Sequence, residues 1–116
     1  MGQLSRKLWN LFQMQTKYNV ELKDADIAAN LKRIQNSIFK LLPYYEEEKD
    51  WKKPLDTIVI ELIGLSNLFE NQTHLIALVS KLEGIRHDPD IEFPLFRRMI
   101  FECCSLVDKV RDDICQ

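Results

Sequence analysis

The chain reads as an all-α protein, an antiparallel four-helix bundle with an additional N-terminal amphipathic helix. Three observations predict this. Phe93, Phe96, Ile100, Cys103, Val107, Val110 and Ile114 recur at steps of three and four, the spacing of one helix face held through the last quarter of the chain. Ile27, Leu31, Ile34, Ile38 and Leu41 repeat the pattern near the front, and Leu55, Ile58, Leu62, Leu65 and Phe69 repeat it between them. No period-two alternation lasts beyond a few residues and no Asn-Gly or Asp-Gly turn occurs, so strands are not expected.

The 116 residues suit one helical domain, 1–116, large enough to bury a single core, with 1–19 as a peripheral helix and 20–116 as the bundle. The first helix is expected over Gln3 to Tyr18, with Leu4, Leu8, Leu11 and Phe12 on a modest stripe and Asn19 as its end. Asp24 or Asp26 caps the second helix, whose seam runs to Leu42. Pro43 lacks a donor and disfavours helical geometry before it, so the helix stops or kinks there. Tyr44 to Lys53 is expected as a charged connector carrying three aromatics.

Pro54 fits the first turn of a third helix that runs from Leu55 to about Phe69. That helix is apolar almost all round, which predicts the most buried position in the domain. Asn71 or Thr73 opens a fourth helix with Leu75, Leu78, Val79 and Leu82 inward, and Gly84 is expected as its left-handed C-terminal residue. Ile85 to Glu92 reads as a loop with a cap at Asp90, and Pro94 suits the first turn of the fifth helix. Short connections favour antiparallel neighbours.

Composition excludes several function classes. The apolar share of 46% and charged share of 29% are those of an ordinary globular protein. The densest apolar stretch, Thr57 to Leu68, is too short for a membrane span and carries Glu61. No apolar leader with a cleavage site opens the sequence, and Arg6 stands where a myristoylation pattern wants Ser or Thr. Cys103, Cys104 and Cys115 are odd in number, form no CxxC, and include an adjacent pair whose Cβ vectors diverge, so a reduced, cytoplasmic protein is expected. Residues 1–45 hold seven Lys/Arg against three acids, net +4; the rest hold nine against fifteen, net −6; together they make the formal −2.

No catalytic constellation is present. His87, Asp88 and Asp90 form a His-carboxylate cluster without the three or four converging ligands a metal needs. Glu46, Glu47, Glu48 and Asp50 lie among Lys49, Lys52 and Lys53 and read as a solvated charge run. Glu61 stands on a narrow stripe with Thr57 and Gly64 and reads as solvent-facing. The serines have no adjacent histidine, and the three glycines are isolated, so neither a nucleophile nor a phosphate loop is indicated. The sequence predicts no enzyme activity, no cofactor and no metal.

Two aromatics leave their seams. Phe101 falls outside the apolar arc of the fifth helix, beside Arg97 and Arg98, and Phe39 leaves the seam of the second helix near Lys32. Aromatic and arginine side chains together suit a protein hot spot. The expected function is a non-enzymatic interaction module, or a small subunit of a larger assembly, that binds a protein partner or itself. The partner-binding candidates are Arg97, Arg98, Phe101, Phe39, Lys32, Arg33, Lys40 and Trp9. The alternative is a small nucleic-acid-binding subunit that sets the basic residues on phosphates and Phe39 or Phe101 on bases, against which the overall acidity weighs. No membrane partner is expected.

Overall fold

The computed structural model describes residues 4–5, 7–9, 24–69 and 72–115. The described chain is all-helical apart from one small ladder at its start. The five helices are α1 (Asp24–Phe39), α2 (Leu41–Glu46), α3 (Lys52–Leu68), α4 (Thr73–Arg86) and α5 (Phe93–Ile114). Four of them, α1, α3, α4 and α5, pack against one another, each touching two neighbours: α1 lies against α3 and α5, and α4 against α3 and α5. The short α2 packs on α5.

The ladder corrects the start of the expected first helix. Residues Leu4–Ser5 (β1) and Lys7–Trp9 (β2) pair as short antiparallel strands. A ladder of this size is far below what holds by itself in water. The remainder of the helix expected over Gln3 to Tyr18 lies outside the described residues.

The three seams read from the sequence form the core. Ile27, Leu31, Ile34, Ile38 and Leu41 are buried, as are Leu55, Ile58 and Leu62, and as are Phe96, Ile100, Cys103, Val107, Val110 and Ile114. The 22 residues of α5 span about 33 Å, so one helix presents a buried stripe to all its neighbours. Asp26 stands in the first turn of α1, inside the helix, where a carboxylate favours the positive helix end.

Pro43 acts four residues upstream of itself. It has no N–H for the carbonyl of Phe39, and its ring crowds that carbonyl. Accordingly α1 ends at Phe39, Lys40 makes a turn, and the chain restarts as α2 with Pro43 as its third residue. The expected connector therefore begins only after Glu46. Its aromatics are not solvated: Trp51 is buried, and Tyr45, Trp51, Phe93 and Phe96 make one ring cluster with centroids 4.7 Å (Tyr45–Phe96) to 6.1 Å (Tyr45–Trp51) apart. The Tyr45 hydroxyl donates to the Ile91 carbonyl at 2.6 Å, which joins α2 to the loop before α5.

Two helix ends differ from expectation. At α3, the Asp50 carboxylate accepts from the backbone N–H groups of Lys52 and Lys53 at 3.0 and 3.3 Å, so the helix starts at Lys52 rather than Leu55, with Pro54 in its first turn. At α4, Gly84 is not a left-handed terminus; the helix runs on to Arg86 and no glycine has positive φ among the described residues. The reason is Ile85, fully buried as the next member of the series Leu75, Leu78, Leu82. Burying an isoleucine is worth about 1.5–3 kcal/mol, more than the roughly 1 kcal/mol that a mid-helix glycine costs.

The third helix is not the most buried. Ile60 and Ile63 on α3 are 69% and 40% exposed, and Ile76 on α4 is 61% exposed. The aromatic connector folds onto α5 instead of covering them. No helix among the described residues is long and apolar enough to cross a membrane.

Candidate interaction surface

Phe39 ends α1, one position off the buried series that finishes at Ile38. Phe101 lies one position beyond buried Ile100 on α5. Where α1 and α5 pack, these offsets point both rings out along the same edge. Their centroids are 5.8 Å apart in an edge-to-face arrangement, yet the side chains remain 48% and 40% exposed. The Arg97 guanidinium lies over the Phe101 ring, 4.8 Å from its centroid. The result is an aromatic pair with a cation over it, open to solvent and held by two helices.

The edge is fixed from behind. Gln35 Nε2 donates to the Cys104 carbonyl at 2.9 Å and to Asp108 Oδ1 at 3.0 Å, which pins α1 to α5 one turn from Phe39. Lys32 lies on the same side of α1 and donates to Gln35 Oε1 at 3.2 Å. Cys104 is half-buried here, and burial with the nearby Asp108 carboxylate pushes its thiol up to about 11. Cys103, inside the core, is pushed up to about 12, chiefly by burial. Neutral thiols with pKa values this high are poor nucleophiles at physiological pH.

The other expected site residues are dispersed. Arg33 projects toward α3, where Nη2 donates to Glu61 Oε2 at 2.8 Å, and it also donates to Asn30 Oδ1 of its own helix at 2.8 Å. Glu61 is thus the acidic end of an ion pair at the α1–α3 seam. Arg98 sits about 100° round α5 from Arg97 and lines a groove with Asp88, Asp90, Glu92 and Leu95. Lys40 is exposed in the turn between α1 and α2. Trp9 falls in β2, and its side chain lies outside the described residues. So Phe39, Phe101 and Arg97 are brought together, Lys32 is on the same edge, and Arg33 and Arg98 point elsewhere.

Sequence reasoning missed two features of the surface. Gln35 stands near Phe39 in the sequence pattern, but its role in joining α1 to α5 carries no signal until its partner helix is known. The outward face of α3 reads from the sequence as core, while Ile76 on α4 lies outside the expected stripe but is not signalled as part of an exposed apolar group. The signal was present: from Thr57 to Ser80 the sequence has only Glu61 and Glu70 as charges, with more isoleucines than one seam can bury.

No protein-family model, no curated protein and no solved structure matches this chain.

Proposed function

We propose that the protein is a non-enzymatic interaction module that binds a partner protein through the Phe39–Phe101–Arg97 surface. The observation that carries this reading is the exposed aromatic pair under a guanidinium. Aromatic and arginine side chains dominate contact energy at interfaces, and two rings already packed on each other lose little freedom on binding. The frame is a four-helix bundle whose helices run antiparallel. Contacts that join the start of one helix to the end of the next support that arrangement: His74 with Asp113 across α4 and α5, and Arg86 with Asp56 across α4 and α3. Such a frame holds the patch without needing the partner to fold.

A protein partner is preferred to a nucleic acid because the cations do not gather. Arg33 is occupied by Glu61, Arg98 faces the acidic loop, and only Arg97 and Lys32 share the edge of the rings. Phosphate tracking wants a continuous basic stripe.

The test is recovery of a partner from native extract on three immobilised proteins: the wild type, the pair Arg97→Ala with Phe101→Ala, and Arg98→Ala alone. The expected result is a protein recovered by the wild type and by Arg98→Ala and lost with the pair, with helix content unchanged throughout. Recovery unaffected by the pair overturns the assignment of the site. Retention on single-stranded nucleic acid that falls steeply with salt favours the nucleic-acid alternative instead.

A further inference from the structure

We infer that the edge of α1 and α5 takes an acidic segment of a partner protein, which sets a carboxylate on the Arg97 guanidinium and an apolar side chain beside it on the Phe39–Phe101 pair. The inference rests on the reading of this edge as a binding surface and adds the chemistry of its occupant.

Arg97 is the unspent cation of the bundle. Of the described arginines, Arg33, Arg86 and Arg111 are held by carboxylates of neighbouring side chains, and Arg98 lines a groove with Asp88, Asp90 and Glu92. Arg97 makes no hydrogen bond or ion pair to another described residue and lies over the Phe101 ring. A guanidinium carries five N–H donors in one plane, a fork that matches the two oxygens of a carboxylate. Here the fork is free, and the ring beneath it limits the motion that binding would otherwise have to remove.

The charge left open around the rings has the same sign. Lys32 donates to the neutral Gln35 amide, Lys40 is exposed directly after Phe39, and neither makes an ion pair among the described residues. The acids of α5 are committed: Asp108 accepts from Gln35 and lies 3.3 Å from Arg111, and Glu102 holds Lys81. Glu46, exposed at the end of α2, makes no ion pair with Arg97 or with either lysine. An incoming acid therefore meets cations that the bundle has not neutralised, and an incoming base is repelled by them.

The rings require an apolar group beside that acid. An ion pair left in water is worth about 0–1 kcal/mol, too little to anchor a partner through Arg97 alone. Phe39 and Phe101 stay about half-exposed although they touch, so an apolar side chain laid on them buries ring surface next to the guanidinium. Excluding water there strengthens the Arg97–carboxylate attraction, and an aromatic and arginine centre shielded in this way is the usual pattern of a binding hot spot. Arg97 and Phe101 are one helical turn apart, so one short segment reaches both.

A displayed library of short random-sequence peptides, selected on the immobilised full chain, tests the inference. Enriched peptides should carry Asp or Glu within one helical turn of Leu, Ile or Phe. Arg97→Gln should weaken the binding of such a peptide about tenfold or more, with helix content unchanged. Changing the peptide's acid to its amide should cost the wild type as much and the Arg97→Gln variant little, which isolates the pair. Arg97→Lys should restore part of the affinity, since an ammonium lacks the planar fork, and Arg98→Ala should bind as the wild type does. Enriched peptides that lack an acid, yet are lost with Phe39→Ala or Phe101→Ala, overturn the acidic occupant and leave the surface standing. Peptides indifferent to both phenylalanine changes overturn the surface as well. Single-stranded nucleic acid that displaces the peptide at a lower concentration puts phosphate in place of the carboxylate and overturns the inference. Self-association of the pure chain that Arg97→Gln abolishes makes the occupant a second copy and overturns it too.

Discussion

Ile100 lies about two turns into α5 with its side chain fully buried between flanking turns of the same seam. Ile100→Ala should cost about 2–5 kcal/mol, read as a fall in the denaturant midpoint without a change of slope. Phe101→Ala, one position on, should cost only about 1 kcal/mol, the scale of an aromatic pair that water still reaches. The contrast between neighbouring residues checks the rotation of α5. The thiols make a second prediction. Cys103 and Cys104 have pKa values raised from 9.0 to about 12 and about 11, so the folded state favours their neutral form. A raised value contributes stability that is complete below the unfolded pKa and is lost as pH climbs through the folded one. Melting temperature should therefore fall between about pH 9 and 12, and alkylation of both thiols at pH 8 should wait on unfolding. At this scale the sequence was highly legible: spacing alone separates Ile100 from Phe101. What spacing does not give is that Phe101 meets Phe39, since they stand on helices remote in sequence.

Among elements, α2 is the least foreseeable piece and carries a local strain. Glu48 follows the helix at φ 59, with its N–H donating to the Tyr45 carbonyl at 3.1 Å and the Lys49 N–H reaching the Tyr44 carbonyl at 2.8 Å. That pair of bonds closes the helix end in the Schellman pattern, whose left-handed position is usually glycine. A side chain there costs about 1–2 kcal/mol, partly offset by the greater unfolded freedom of glycine. Glu48→Gly should accordingly stabilise the protein by about 0.5–1 kcal/mol, seen as a higher melting temperature. Helix existence was read correctly for α1, α3, α4 and α5, because each needs only its own periodicity. Their ends were read less well. The stop at Phe39 depends on a proline four residues later, the start of α3 on a carboxylate outside it, and the passage through Gly84 on burial of Ile85. Each of these is a contest between a local preference and a tertiary contact, and periodicity carries only the first.

At the scale of the whole molecule, the neighbour order decides what is covered. With α1 and α4 each shared between α3 and α5, the outer faces of the bundle include the edge of α1 and α5 and the face of α3 and α4. The first displays an aromatic pair with Arg97 over the Phe101 ring, the second the exposed Ile60, Ile63 and Ile76. Sequence periodicity identified the apolar faces but assigned too much of α3 to the core. A helix apolar all round reads as central until its neighbours are known, and here they cover only one side of it. The candidate site was legible as a set of residue types; its geometry followed from α1 and α5 being adjacent, which also parted Arg33 and Arg98 from it. The proposed function rests on the first face, and side-chain oxidation footprinting with and without the captured partner tests it most directly. Phe39 and Phe101, each about half-exposed in the free chain, should be labelled alone and become protected in the complex, while Ile60 and Ile76 keep their labelling. Equal labelling of the two rings in both states would contradict the account.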